Sequence, residues 1–267
     1  MSLVRLTING EPAQADDLRW PVANNYGHFT AMRVSGGCVR GLDLHLQRLD
    51  DATRFLFRHP LDVDAVRGWL RDAVGADASE LSVRINVFSR AYNRERPADP
   101  AQPDVLIAVA SAPASPTQPL RVKSFRYERD APMVKHVGTF ALFHHRRLAQ
   151  QAGFDDALFV DHDSNISEGS IWNVAFFDGK RVVWPNARQL EGVSKQLLKR
   201  GLEQRGIESI DATVPLSRIA DFRAAFFTNS GQPVRAIACI DAATFAFDGE
   251  FVELLTACYD SNSPQRI

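Results

Sequence analysis

The chain has 267 residues, of which 45% are hydrophobic, and its 31 basic and 32 acidic side chains leave a formal net charge of −1. A chain of this length can bury a substantial core in one large or two modest domains, and its balanced charge gives no field that would collect nucleic acid or an anionic membrane. The sequence has neither an apolar start of signal-peptide length nor a run of roughly 20 apolar residues, so we expect no nucleic-acid partner, no membrane partner and a cytoplasmic location.

The first part of the chain predicts a mixture of strands and helices. Strands are predicted at 28–34, 38–40, 81–88 and 105–110, and helices at 42–57 and 64–74. The Ser-Gly-Gly run at 35–37 is typical of a tight turn between the first two strands. Asp43 can cap the start of the first helix. These elements together indicate an α+β domain.

A proline-rich spacer follows and divides the chain. Three prolines between Ser111 and Pro119 lack helical or strand periodicity, which is typical of a semi-rigid linker. We therefore predict an N-terminal domain at 1–112, a linker at 113–119 and a C-terminal domain at 120–267. In the last domain, helices are predicted at 138–152 and 194–205, and strands at 156–160, 171–177, 181–184, 224–228 and 234–240. The first three of these strands predict an antiparallel meander.

Lys135 stands apart from the other lysines. The chain contains only five, and we expect the other four at the surface: Lys123, Lys180, Lys195 and Lys199. Lys135 lies in the run Pro132-Met-Val-Lys-His-Val137, whose apolar residues indicate partial burial. A partly buried lysine is suited to forming Schiff bases, but the same pattern is typical of an interface lysine whose ammonium reaches water. Both interpretations stay open on this context alone.

Glu168 stands at the entrance of an apolar strand, in the run Glu168-Gly-Ser-Ile-Trp-Asn173. Taken alone, this run is a turn, and Gly169 permits a bulge or a close backbone approach. Strand alternation puts Glu168 and Asn173 on opposite faces unless the chain bends near Gly169. The spacing therefore does not assign both side chains to one pocket.

Two later segments are suited to binding an anion. Gly192, Val193 and Ser194 precede a helix, and such a start either binds phosphate or is simply capped by Ser194. The polar loop Thr228-Asn-Ser-Gly-Gln232 follows a hydrophobic strand and either binds an anion or merely turns. Each segment keeps both interpretations.

Several other chemistries are disfavoured by the motifs. The sequence contains no GxGxxG, Walker A, GxSxG or HExxH pattern. His136, His144 and His145 have no suitably spaced carboxylate or thiolate to complete a metal shell, so no metal site is expected. The three cysteines are odd in number and widely spaced, which favours free thiols.

Five short segments form a series along the chain: 27–34 (GHFTAMRV), 44–49 (LHLQRL), 134–136 (VKH), 168–173 (EGSIWN) and 192–194 (GVS). In order and spacing they resemble the motifs of fold-type IV pyridoxal-phosphate (PLP) enzymes, the class IV aminotransferase family of branched-chain aminotransferases, D-amino-acid aminotransferases and aminodeoxychorismate lyases. They look like that family's G-x-F-E/T-x-x-R-V strand, HxxRL helix, cofactor-lysine segment, E-G-S/T-x-x-N signature and G-I/V-T turn. The interval of 33 residues from Lys135 to Glu168 is also typical.

The resemblance implies a fold and a set of residue roles. It implies a small α+β N-terminal domain, a larger β-rich pseudo-barrel C-terminal domain, PLP in the interdomain cleft and a homodimer. Lys135 would carry PLP as a Schiff base and Glu168 would pair with its pyridine nitrogen. The other implied cofactor-binding residues are Arg48, Asn173, Gly192, Val193, Ser194 and Ser230. The implied substrate-binding residues are Phe29, Ala31, Arg33, Gly231 and Gln232.

The favoured reaction is transfer of an amino group between an amino acid and a 2-oxo acid. The alternatives are aminodeoxychorismate lyase, which eliminates pyruvate, and an inactive relative that only binds. In the lyases the early strand reads F-T-T, and the hydroxyl of the second threonine assists elimination, whereas this chain has Phe29-Thr30-Ala31. Thr30 could substitute only if a bulge shifted the register. The chain also lacks the R-G-Y motif of branched-chain enzymes. Its first motif is two residues shorter before the phenylalanine than the family's motif, so Tyr26 is not assigned a cofactor-facing position.

Overall fold

The computed structural model describes residues 3–76, 79–246 and 248–267. The described strands are β1 (Leu3–Ile8), β2 (Glu11–Pro12), β3 (His28–Val34), β4 (Cys38–Val39), β5 (Leu81–Phe88), β6 (Asp104–Ser111), β7 (Leu120–Arg126), β8 (Asp156–Val160), β9 (Ile166–Gly169), β10 (Asn173–Phe177), β11 (Val182–Pro185), β12 (Ser209–Ala212), β13 (Ala224–Thr228), β14 (Arg235–Ile240), β15 (Ala243–Thr244) and β16 (Gln265–Arg266). The described α-helices are α1 (Arg19–Asn24), α2 (Leu42–Phe57), α3 (Val63–Val74), α4 (Phe140–Gln151), α5 (Val193–Gln204) and α6 (Gly249–Asp260), with 3-10 turns at Ala15–Leu18 and Leu216–Asp221. Within these residues, no helix has the length and apolar content needed to cross a membrane.

The chain divides into two compact units. The first unit extends to Ala114 and also takes in Val134–Gly138 and Pro264–Ile267, while the second unit comprises Ser115–Met133 and Thr139–Ser263. The change of unit near residue 114 falls within the predicted linker at 113–119. The sequence placed all of 120–267 in one C-terminal domain, and the two short segments depart from that placement. They pack with the first unit because their backbones hydrogen-bond to it: Phe29 N–H donates to Lys135 O at 2.9 Å, and β16 pairs with β4.

The first unit is built on a five-stranded antiparallel sheet in the order β2-β1-β6-β5-β3. Alternate residues of its strands pack against α2 and α3 to form the core of this unit. The helix predicted at 42–57 is present as α2, and Leu42, Leu46 and Leu49 recur on one buried face. Asp43 does not cap this helix, since Gly41 occupies the N-cap position and no side chain caps it. On α3 the cap is Asp62, whose carboxylate accepts from Ala65 N–H at 2.9 Å.

The second unit is built on a nine-stranded mixed sheet. Its main path runs β12-β11-β10-β13-β14-β7-β8-β9, with β15 added on β14, and β7 is parallel to both of its neighbours. The predicted meander of the strands at 156–160, 171–177 and 181–184 is present between β10 and β11, but it is wrong between β8 and β10, because β8 pairs with β7 and with β9, a strand that was not predicted. Helices α5 and α6 pack on one side of this sheet, around Trp184, Leu198, Phe226 and Leu255.

Candidate active site

Lys135 lies on a segment that extends the free edge of β3 in the first unit. Phe29 N–H donates to Lys135 O at 2.9 Å, and Val137 N–H donates to Gly27 O at 3.0 Å. The Lys135 side chain is half-buried, and its Nζ lies 4.9 Å from the centroid of the Phe29 ring. Pairing with β3 thus holds this lysine beside a residue more than a hundred positions earlier in the chain.

A buried histidine on α2 lies near both cations of this region. His45 is fully buried, and its Nδ1 is 2.7 Å from Thr30 Oγ1 on β3. Burial lowers the pKa of His45 well below its usual value, and the positive charges of Arg48 and Lys135 lower it further. The structure therefore brings Arg48 and Lys135 close to one neutral imidazole. The sequence assigned no role to His45 or Thr30.

A second histidine–threonine pair joins the same two elements. His28 Nε2 on β3 is 2.9 Å from Thr53 Oγ1 on α2, and the Thr53 hydroxyl donates to Leu49 O at 2.7 Å. Because that hydroxyl proton is used on Leu49, Thr53 accepts from His28, which must carry its proton on Nε2. The two pairs hold α2, and with it Arg48, against β3.

The predicted substrate residues of β3 share one face of the strand. Phe29, Ala31 and Arg33 alternate with Thr30, and β3 pairs with β5 in a regular register without a bulge. The Arg84 guanidinium of β5 stacks over the Phe29 ring at 3.5 Å from its centroid. Arg33 Nε donates to Glu80 Oε2 at 2.6 Å, so part of its guanidinium is already paired. No sequence pattern singles out Arg84.

A cavity of about 350 Å³ opens near this face in the first unit. Its wall includes Leu18, Val22 and Tyr26 together with the polar side chains of Arg84 and Asn86. Arg84 Nε donates to Asn86 Oδ1 at 2.9 Å, which orients the guanidinium. Tyr26 stacks on Tyr92 with ring centroids 4.3 Å apart. The cavity is mostly apolar, with one oriented cation.

Glu168 is buried in the second unit and is paired with Arg129. Arg129 Nε donates to Glu168 Oε1 at 2.6 Å, and the two side chains are only 2% and 3% exposed. The other carboxylate oxygen, Oε2, accepts from Leu190 N–H at 3.3 Å. Arg129 stands in the charged run Tyr127-Glu-Arg-Asp130, which suggests a surface turn, so no local signal distinguished it.

Asn173 acts on the same loop as Glu168. Its Nδ2 donates to Gln189 Oε1 at 2.9 Å and to Leu190 O at 2.8 Å. The turn at 170–172, closed by a 2.8 Å bond from Gly169 N–H to Trp172 O, reverses the chain between Glu168 and Asn173. Glu168 and Asn173, at the two ends of the EGSIWN motif, therefore both hydrogen-bond to the backbone of Leu190. Strand alternation alone left open whether these two side chains meet at one place.

Helix α5 begins directly after this loop. Gly192 is its N-cap residue, and a Cβ there would lie 2.1 Å from Asn173 Oδ1, so only glycine fits without a shift. The alternative interpretation of the sequence, in which Ser194 caps this helix, is therefore wrong. The Ser194 Oγ is buried and has no hydrogen-bond partner among the described residues, and the same is true of Thr228 Oγ1. Thr228 is the cross-strand partner of Asn173, so it lies next to this loop.

This corner fits the phosphate group that the sequence resemblance implies. A phosphate oxygen is a strong acceptor, and the exposed N–H groups at a helix start favour negative charge. Val193 and Ser194 supply such N–H groups in the first turn of α5, and two buried hydroxyls still lack acceptors. The donors present therefore suit an anion.

The remaining predicted residues are in the loop after β13. Asn229 Oδ1 accepts from Gly231 N–H at 2.9 Å and from Gln232 N–H at 2.8 Å, which closes the loop on itself. Gln232 Nε2 donates to Pro116 O at 2.7 Å. Ser230 is half-buried and Gly231 is exposed. Their binding roles stay predictions.

One lysine differs from its predicted exposure. Lys195, expected at the surface, is only 4% exposed, and its Nζ is 2.8 Å from Glu191 Oε2. Lys195 lies in the first turn of α5, and this helix packs on the sheet.

Comparison with known proteins identifies the family. The family model for amino-transferase class IV matches residues 27–240. The chain belongs to this family. The prediction of a class IV aminotransferase is thereby confirmed. A probable branched-chain-amino-acid aminotransferase from Rickettsia bellii is 26% identical, over 80% of this chain and 77% of its own length.

Solved structures show the fold of this class IV aminotransferase. A branched-chain aminotransferase from Thermoproteus uzoniensis, solved with norvaline, superposes with a TM-score of 0.86, at 16% identity, over 98% of this chain and 99% of its own. A putative 4-amino-4-deoxychorismate lyase from Legionella pneumophila superposes at 0.79, with 18% identity, over 91% and 94%. The predicted fold-type IV, α+β architecture is confirmed, and the fold is common to both reaction types.

Proposed function

We propose that this class IV aminotransferase uses PLP to move an amino group between an amino acid and a 2-oxo acid. The observation that carries the proposal is the setting of Lys135, held on the β3 edge with its Nζ 4.9 Å from the centroid of the Phe29 ring. Lysines that react with carbonyl groups do so as the neutral amine. PLP, when bound, supplies an electron-withdrawing ring that stabilises negative charge on the substrate carbon.

The residues of the chain then take separate roles. Lys135 Nζ attaches the cofactor and afterwards moves the proton at the substrate Cα. Glu168 pairs with the pyridine nitrogen. Arg48, the N–H groups of Val193 and Ser194, and the hydroxyls of Ser194 and Ser230 hold the phosphate. Gly192 and Asn173 act through the shape of the loop that precedes α5, since the Asn173 amide protons are both used there.

The register of β3 favours amino transfer over pyruvate elimination. Ala31 lies on the same strand face as Phe29, and its methyl group can neither donate nor accept a proton. Thr30 points to the opposite face, where its hydroxyl is bonded to His45. Since β3 has no bulge, Thr30 cannot replace the hydroxyl that is missing at position 31. The solved lyase of the same fold keeps elimination as the alternative reaction to test.

The test of this proposal begins with purified full-length protein and PLP. Borohydride reduction should fix PLP on the peptide that contains Lys135, and labelling of another lysine or of none would contradict the assignment. Amino transfer from a panel of L- and D-amino acids is then compared with pyruvate release from aminodeoxychorismate. The names of the relatives place branched-chain amino acids first in the panel. Efficient pyruvate release without amino transfer would support the lyase, and PLP binding without either activity would support an inactive relative.

The Ala31→Thr variant sharpens the choice between the two reactions. If the missing hydroxyl limits elimination, this variant should gain pyruvate release while keeping bound PLP. Thr30→Ala is the matched control, because it removes a hydroxyl from the same strand on the opposite face. If the wild-type enzyme transaminates and neither variant gains pyruvate release, residues other than Ala31 decide between the two reactions.

We also propose that the protein is a homodimer. Several large apolar side chains of the second unit are exposed, namely Met133 at 64%, Phe140 at 80% and Phe143 at 49%. Phe140 and Phe143 are three residues apart on α4 and so share a helix face. Exposed apolar groups concentrated in this way are typical of an interface. A cytoplasmic location stays a prediction from the sequence.

A further inference from the structure

A buried ion pair in the second unit joins Glu168 to a residue that no motif includes. Arg129 follows β7, and its Nε–H donates to Glu168 Oε1 at 2.6 Å. Both side chains are at most 3% exposed. Leu190 N–H reaches the other oxygen at 3.3 Å, a longer bond. Arg129 therefore forms a direct, buried ion pair with this carboxylate.

Burial makes a charged carboxylate unstable unless a cation compensates it. Arginine is the side chain suited to this task, because its guanidinium stays charged at every accessible pH and donates in a fixed direction. Removing one partner of a buried pair leaves the other charge uncompensated, and the carboxylate then tends to take up a proton. A carboxylate oxygen can accept more than one hydrogen bond, so the pairing leaves Glu168 able to accept from a further donor.

We infer that Arg129 is a positioning residue that keeps Glu168 ionised and oriented before the cofactor binds. The inference rests on the proposed function, in which Glu168 pairs with the pyridine nitrogen. Tyr127 interacts with both members of this pair and with Asp130. Burial raises the pKa of Tyr127, Arg129 lowers it, and Asp130 and Glu168 raise it. Neither Tyr127 nor Asp130 supplies a positive charge.

The first arm of the test measures unfolding of the cofactor-free, full-length protein in urea at pH 5 and pH 8. In Arg129→Met, Glu168 loses its cation and is more easily protonated, so its contribution favours folding at low pH and is lost as pH rises. The urea midpoint of Arg129→Met should therefore fall further below wild type at pH 8 than at pH 5. Arg129→Lys keeps the charge and should follow the wild-type pH profile. The double variant Arg129→Met with Glu168→Gln should lose the added pH dependence.

The second arm measures proton uptake when PLP binds, by calorimetry at pH 7 in two buffers with different ionisation enthalpies. PLP in solution at pH 7 already carries a proton on its ring nitrogen, and in wild type ionised Glu168 would accept a hydrogen bond from that N–H. In Arg129→Met, Glu168 holds a proton that it must give up to pair with the N–H, so net proton uptake should fall by up to about one proton relative to wild type. Arg146→Met is the matched control, because it removes the cation from another buried carboxylate of this unit, Asp156. It should destabilise the protein and leave proton uptake unchanged.

The outcomes separate the inference from the proposed function. If wild type fails to bind PLP, the proposed function is wrong, and the urea arm still decides whether Arg129 keeps Glu168 ionised. If wild type binds PLP and transaminates while Arg129→Met has the wild-type pH profile and proton uptake, the inference alone is wrong. If Arg129→Met does not fold, Arg129→Gln takes its place. If adding Glu168→Gln restores folding to the Arg129 variant, the inference is supported, since that substitution removes the unpaired charge. If the double variant also fails to fold, while Arg129→Lys folds with a pH dependence different from wild type, the inference is contradicted.

Discussion

His28 is buried in the first unit with one ring nitrogen bonded to Thr53 and the other, Nδ1, without a partner among the described residues. Burial lowers its pKa from 6.5 to about 3. As pH falls below 6.5, the unfolded chain takes up a proton at this residue before the folded protein does, so stability is lost with falling pH. His45 adds to this acid sensitivity in the same direction, because its pKa is also lowered.

The variant His28→Gln should therefore be less sensitive to acid than wild type. Between pH 7 and pH 4, the free energy of unfolding should fall by roughly 3 kcal/mol less in the variant, since each pKa unit corresponds to about 1.4 kcal/mol. Urea unfolding at both pH values measures this difference. His162→Gln is the control, because the His162 side chain is 76% exposed. Parallel losses in wild type and His28→Gln would contradict a neutral buried imidazole.

Ser194 leads to a prediction that separates stability from binding. A buried hydroxyl without a partner costs about 1–3 kcal/mol, so Ser194→Ala should leave the melting temperature of the cofactor-free protein unchanged or raise it. PLP affinity should fall roughly tenfold or more, because a hydrogen bond to a charged group is lost. Ser170→Ala is the contrast, since Ser170 Oγ donates to buried Asp156 at 2.6 Å and its loss should lower stability. A Ser194→Ala protein that is destabilised and binds PLP normally would remove Ser194 from the phosphate site.

At the scale of elements, α5 and α6 approach each other at a glycine. A Cβ at Gly201 would lie 1.8 Å from Cys258 O, which is backbone and cannot move aside cheaply. Asn262 Nδ2, just after α6, donates to Leu197 O of α5 at 2.9 Å and ties the two helices together. The crossing matters to the site because α5 carries Ser194 at its first turn.

Gly201→Ala should lower the free energy of unfolding by about 1–3 kcal/mol or more, because overpacking forces the helices apart. Gly68→Ala on α3 is the matched control: it is also helical, and nothing lies within 4 Å of its Cβ position. There the same substitution should stabilise the protein by about 0.5–1 kcal/mol, as alanine loses less backbone entropy. Denaturant titration of both variants checks the prediction, and equal effects would argue against the close crossing.

At the scale of the whole molecule, the proposed homodimer depends on exposed apolar side chains of the second unit. Phe140→Glu places a charge on the most exposed of these phenylalanines and should convert the dimer to a monomer in light scattering coupled to gel filtration. Phe55→Glu is the control, because Phe55 is 57% exposed on α2 of the first unit. A wild-type monomer, or a Phe140→Glu dimer of unchanged stability, would contradict the proposal.

Local patterns in the sequence were enough to predict several elements to the residue. The bounds of β3, α2, β8 and β13 agree with the predicted segments 28–34, 42–57, 156–160 and 224–228. These elements are readable because the helical period of α2 and the short apolar runs of the strands, such as the fully buried β8 and β13, lie within the element itself. The family could also be inferred, since motif order and the interval from Lys135 to Glu168 are properties of the chain.

Partners and burial were decided by the tertiary structure. Lys135 pairs with β3, Arg129 pairs with Glu168, and Thr30 faces His45, and each partner is distant in the chain. Lys195 has the sequence context of a surface residue, but α5 packs on the sheet and the lysine side chain is only 4% exposed. In each case the side chain's environment comes from an element elsewhere in the sequence. No local period can encode which distant residue arrives there, because that depends on how whole elements pack.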